Sequence, residues 1–118
     1  MSKVLIIDDD EDICATYSDI LKHKGHNVHI LTSGTEAFRV LPKLVPEIVL
    51  LDMNMPGISG SLLLSFIRRL SRLDNTKVII VSGYVDLAES AKAIWGADML
   101  LTKPISAKQL LDAVAIYS

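Results

Sequence analysis

Cysteine is nearly absent from this chain: Cys14 stands alone, so neither an internal disulfide nor a thiolate metal cluster can form, and a reducing compartment suits it. Long apolar runs are missing too. The first one, Val4 to Ile7, ends at the five acids Asp8 to Asp12 and is too short for a signal-peptide core or a membrane span. There is no surplus of positive charge, with 12 Lys and Arg against 14 Asp and Glu, hence no global field to hold nucleic acid or anionic lipid. Direct nucleic-acid binding and membrane association are not expected; a cytoplasmic protein is. Neither GxGxxG nor GxxxxGK[ST] occurs, which removes the common nucleotide-binding readings. Repeats, linkers and low-complexity stretches are lacking as well. The 118 residues therefore read as one domain, 1–118, able to bury roughly 65% of its unfolded surface around a single core.

What is present is alternation. Half the residues are hydrophobic and 22% are charged, a globular balance. Runs rich in Val, Ile and Leu, at Val4 to Ile7, Val28 to Leu31, Ile48 to Leu51, Val78 to Val81 and Met99 to Leu101, read as five strands. Helix-period segments lie between them. The first puts Ile13, Tyr17, Ile20 and Leu21 on one stripe and ends at Gly25; the second runs from about Gly34 to Val40, with Pro42 and Pro46 bracketing its exit. The third turns Leu63, Phe66, Ile67 and Leu70 inward and Arg68, Arg69 and Arg72 to water. A fourth spans about Leu87 to Trp95 and stops at Gly96, and a fifth begins at a Ser106 N-cap and presents Leu110, Leu111, Val114 and Ala115. Repeated βα units with right-handed crossovers give an α/β, doubly wound (βα)5 flavodoxin-like fold. Its expected core is a five-stranded parallel sheet of order 2-1-3-4-5 with helices on both faces.

In such a sheet all the strand tips open on one edge, and the residues just after them are the informative ones. Asp8 and Asp9 follow the first strand, Asp52 the third, Ser82 the fourth, and Thr102 and Lys103 the fifth. Asp10, Glu11 and Asp12 are accounted for by the N-cap and first turn of the first helix, where carboxylates meet the positive end of the dipole. Asp8 and Asp9 have no such excuse. Asp52 alone reads as a turn or capping acid; beside Asp8 and Asp9 it does not. Two like charges ~4 Å apart cost about 4 kcal/mol at an effective dielectric of ~20, so clustered carboxylates imply a cation among them. Oxygen donors without nearby His or Cys point to Mg²⁺ or Mn²⁺. Lys103 and Ser82 are unremarkable singly, but together at these tips they supply the ammonium and hydroxyl that a phosphoryl group needs.

The segments VLIIDDDEDI (4 to 13), PEIVLLDMNMPGISG (46 to 60), VIIVSGY (78 to 84) and GADMLLTKPI (96 to 105) together resemble the response-regulator receiver domains of the CheY-like family, across essentially the whole chain. Domains of that family have the 2-1-3-4-5 strand order. The resemblance implies a two-component phosphorelay protein whose Asp52 accepts a phosphoryl group from a histidine kinase or phosphotransfer protein. It implies Mg²⁺ held by Asp9, Asp52 and the backbone carbonyl of Asn54, with Asp8 acting through water. Lys103 would contact the phosphoryl oxygens, Ser82 would be the hydroxyl switch, and the Lys103–Pro104 peptide would be cis. Such a protein is no enzyme beyond phosphorylating and dephosphorylating itself, and it passes its state to a downstream protein or effector domain. Leu100 departs from the pattern: receivers commonly carry an aromatic residue there, so transmission through Tyr84 or the fourth predicted helix is the expectation instead.

Trp95 reads either as packing or as an anchor on a face formed with the fifth strand and the fourth and fifth predicted helices, where Leu100 also lies and through which a homodimer could form. His23, His26 and His29 do not read as a metal site, because Gly25 interrupts the helix between the first two. Cys14 reads as a small packing residue, and Arg68, Arg69 and Arg72 as a solvated helix face. Two competing functions remain to be weighed. A phosphorylation-independent interaction module gains from Leu100. A Mg²⁺-dependent phosphohydrolase would want an acid two residues after Asp52, where Asn54 cannot shuttle a proton.

Overall fold

The computed structural model describes residues 2–83 and 96–118. Five strands, β1 (Lys3–Ile7), β2 (Asn27–Leu31), β3 (Ile48–Asp52), β4 (Lys77–Ser82) and β5 (Met99–Thr102), form one parallel sheet of order β2-β1-β3-β4-β5. Each expected strand is found, extended by a residue or two. Helices α1 (Glu11–His23), α2 (Gly34–Leu44), α3 (Gly60–Arg69) and α4 (Ala107–Tyr117) cover the two faces. The helix expected from about Leu87 to Trp95, with Tyr84 and Trp95, lies outside the described residues. Among the described residues no helix is long and apolar enough to cross a membrane.

Alternation along the strands sorts the core into two layers. Leu5, Ile7, Val49, Leu51, Val78 and Ile80 pack under α2 and α3; Val4, Ile6, Ile48, Leu50, Ile79 and Val81 pack under α1 and α4. The central strands β1, β3 and β4 are buried almost end to end, whereas the edge strand β2 is largely exposed. Caps fix where the helices begin. Asp10 accepts from the amides of Asp12 and Ile13 to start α1, and Ser106 with Gln109 forms a reciprocal capping box at α4.

Three expectations need correction. Helix α2 does not stop at Val40 but carries Pro42 inside its last turn and runs to Leu44, capped by Val45, whose φ is 46° and whose amide bonds Leu41 O at 3.0 Å. Burial of Leu41 and packing of Leu44 under the sheet outweigh the one amide that Pro42 lacks. Ala115 faces solvent, and Ala113 takes the inward place on α4. Arg68 is not on a solvated face: its guanidinium bonds Gly96 O at 3.0 Å, Thr76 O at 2.9 Å and Asp98 Oδ2 at 2.7 Å. Arg69 and Arg72 are exposed as expected, Arg72 also bonding Pro42 O at 3.0 Å.

The register decides what the C-terminal edge of the sheet presents. Ile7 is level with Leu51, Asp52 with Val81, and Ser82 with Thr102. Asp8 and Asp52 therefore emerge level with each other, Ser82 one residue beyond Asp52 and Lys103 one residue beyond Ser82.

Candidate functional site

Four strand ends deliver this site, and each is pinned by the backbone. The Asp8 amide bonds Leu31 O at 3.1 Å and the Lys103 amide bonds Ser82 O at 2.9 Å, so the tips of β1 and β5 stay tied to their neighbours. The Lys103–Pro104 peptide is cis, as the resemblance implied. Behind Asp52 the chain turns sharply through Met53, Met55 and Gly57, whose φ is 84°. Met53 and Met55 are buried in the layer under α2 and α3. A Cβ on Gly60 would fall 2.7 Å from Met53 Cα and 2.8 Å from Asp52 O, so only glycine lets α3 start against the tip of β3.

The side chains then meet. Ligand oxygens of Asp8, Asp9 and Asp52 lie within 4.8 Å of one another. Lys103 Nζ sits 3.1 Å from Asp8 Oδ2 and 3.7 Å from Asp52 Oδ1. The Asp10 amide bonds Asp8 Oδ1 at 3.0 Å and the Asn54 amide bonds Asp52 Oδ1 at 3.2 Å. Asp8, Asp52 and Ser82 are buried, at 3, 6 and 0% exposure, while Asp9 is exposed. Asp8, Asp9, Asp10, Asp52, Asn54, Gly83 and Lys103 line an open cavity of about 330 Å³.

The electrostatics are unbalanced. Among the described residues, three carboxylates gather around one ammonium. Burial pushes the Asp52 carboxyl up to about 6; the Asn54 amide and Lys103 pull it down, while the charges of Asp8 and Asp9 add to the rise. Burial draws the Lys103 ammonium down, but its bond to Asp8 and the charges of Asp52 and Asp8 outweigh that and hold it above its ordinary value. An all-oxygen donor set with excess negative charge and an open mouth suits a hard divalent ion, so the cluster could hold a metal. Asp52 stays ionised at neutral pH yet is a stronger base than an ordinary aspartate, the right condition for a carboxylate nucleophile.

Residues 4–115 match the family described as response regulator receiver domain. The chain belongs to that family. This receiver is 34% identical to Protein PilG of Pseudomonas aeruginosa over 116 residues, covering 98% of this chain and 86% of that one. It is 30% identical to sporulation initiation phosphotransferase F of Bacillus subtilis over 118 residues, covering 98 and 92%. Among solved structures, chemotaxis protein CheY4 of Vibrio cholerae superposes with a TM-score of 0.92 at 25% identity, covering 100% of this chain and 99% of that one. The receiver's work is two-component phosphorelay signalling, and receiver domains are phospho-acceptors rather than conventional enzymes. They interact with histidine kinases or phosphotransfer proteins.

Asp8, Asp9, Asp52, Asn54 and Lys103, all named from the sequence, line one cavity, and Ser82 lies buried at the neighbouring tip of β4. Leu100 stands apart, partly buried against the layer under α2 and α3. Trp95 is outside the described residues. Sequence reasoning missed Cys14, whose thiol bonds the backbone carbonyl of Asp8 at 3.2 Å. Burial first, then the charges of Asp8 and Asp10, push this thiol up to about 11, so it keeps its proton and donates. No spacing in the sequence signals that bond.

Proposed function

We propose that Asp52 accepts a phosphoryl group from a phosphohistidine on a partner kinase or phosphotransfer protein, and that the charge so acquired switches a protein-binding surface. The observation that supports this reading best is Lys103 Nζ within 3.1 Å of Asp8 and 3.7 Å of Asp52 at the mouth of an acidic, open cavity. An Asp52 carboxylate oxygen forms the new bond to phosphorus as the bond from phosphorus to the histidine nitrogen breaks, and the imidazole leaves neutral once protonated. Lys103 offsets the phosphoryl charge, which otherwise repels an anionic nucleophile. Ser82, fully buried at the tip of β4, follows the group through its hydroxyl.

Asp9, Asp52 and the Asn54 carbonyl are the residues that would hold Mg²⁺ or Mn²⁺, with Asp8 acting through water. The ion, when bound, supplies the charge neutralisation that three acids against one lysine demand. The downstream partner reads the altered surface as a shift between two states. The protein works in the cytoplasm, as a domain over 1–118.

Incubation with acetyl phosphate, with and without Mg²⁺, followed by intact mass measurement tests the reading. The parent should gain one phosphoryl group only with the metal, and Asp52→Asn should gain none. An unmodified parent would mean a passive interaction module. Continuous phosphate release over many turnovers would mean a hydrolase, which Asn54 argues against.

A further inference from the structure

We infer that Cys14 is a positioning residue for the metal site, its thiol aiming Asp9 by fixing the peptide that joins Asp8 to Asp9. The inference rests on the proposed metal-dependent phospho-acceptor reading and deepens it.

Most of the acidic loop is held through side chains. Asp8 is locked at Oδ1 by the Asp10 amide and at Oδ2 by Lys103, and Asp10 is locked by its own cap bonds from Asp12 and Ile13. Asp9 lies between them, exposed, and its carboxylate takes part in none of these bonds. Its direction is therefore set by the backbone on either side. On one side that backbone is a single planar unit containing the Asp8 carbonyl and the Asp9 amide. The Cys14 thiol donates to that carbonyl at 3.2 Å. Cys14 is itself rigid, 1% exposed in the layer under α1 and α4, with its amide bonded to Asp10 O at 3.0 Å. Without the thiol donor a buried carbonyl loses a partner, and the Asp8–Asp9 peptide gains freedom to rotate. A ligand aimed in advance binds its ion more tightly than one that must be ordered on binding.

The test separates hydrogen bonding from packing. Cys14→Val keeps an apolar group of similar bulk without a donor; Cys14→Ser keeps a donor in a smaller side chain. Apparent Mg²⁺ affinity is read from the rise in unfolding midpoint with added metal, alongside the midpoint of each metal-free protein, with Asp9→Asn as the control that should not respond. The expected result is a Mg²⁺ dissociation constant raised about three- to tenfold in Cys14→Val, the scale of one lost hydrogen bond, and within about twofold of the parent in Cys14→Ser. A Val variant equal to the parent, or a Ser variant as weak as the Val variant, overturns the inference. A parent that fails to respond to Mg²⁺ at all overturns the functional reading beneath it instead.

Discussion

The two ends of the sheet treat charge in opposite ways. At the N-terminal ends of β4 and β5, the Arg68 guanidinium meets Gly96 O, Thr76 O and Asp98 Oδ2. Asp98 Oδ2 also accepts the Val78 amide at 2.8 Å, and Tyr117 closes the group with a bond to Asp98 O at 3.1 Å. One cation, one anion and several backbone groups satisfy one another there. At the C-terminal end, among the described residues, three carboxylates cluster with one ammonium, which pairs with Asp8 and Asp52, and the Asp52 carboxyl has been pushed up to about 6. The balanced end contributes to holding the fold. The unbalanced end stores a demand for positive charge that a bound cation would meet, and that demand is what makes it a site.

Breaking the balanced end gives the largest expected effect. Arg68→Ala should destabilise the protein by about 2–4 kcal/mol, since it leaves the Asp98 carboxylate and two carbonyls short of partners; urea unfolding measures it, and a loss under about 0.5 kcal/mol would show the network to be ornamental. The unbalanced end should respond with the opposite sign. Asp52→Asn should stabilise the metal-free protein at pH 8 by on the order of 2 kcal/mol, because it removes a carboxylate whose burial disfavours ionisation. The folded carboxyl titrates at about 6 against 3.8 for the free group, so the unfolded chain loses its proton first. The stability contributed by this group is full below about pH 4 and declines as the pH climbs through about 6. A metal-free parent whose stability rises across that window through a group absent from Asp52→Asn would contradict the comparison.

The smallest effect sharpens it. His26 Nδ1 accepts the Ser2 amide at 3.1 Å, again at the N-terminal end of the sheet, and burial before any charge effect lowers its proton affinity. Its folded value lies below the ordinary 6.5, so its contribution is present above that pH and is lost as the pH falls below it, when the unfolded chain takes up the proton first. Comparing unfolding midpoints at pH 7.5 and 5.5 in the parent and His26→Gln should show a slightly steeper fall in the parent.

Much of this was legible in the sequence because it was local or periodic. Alternating apolar runs gave the five strands, and the parallel topology then brought their tips to one edge, so Asp8, Asp9, Asp52, Ser82 and Lys103 could be named together without coordinates. Asp10 and Ser106 were readable as caps because a cap bonds amides two or three residues away. What escaped depends on separations that no local window spans. Arg68 looks like a solvated helix residue until Asp98, 30 positions on, is placed against it. Pro42 looks like a helix stop until the burial of Leu41 is known. Cys14 looks inert because its partner is a carbonyl, and a carbonyl has no letter in a sequence.

The two apolar layers carry one more consequence. The acidic loop is rooted through Cys14 in the layer under α1 and α4, while the turn after Asp52 is rooted through Met53 and Met55 in the layer under α2 and α3. The sheet between them acts as a partition. Surface changes that suit one side to a new neighbour need not disturb the footing of the other, so a chain of this kind can be redirected to different company while its chemistry stays where it was.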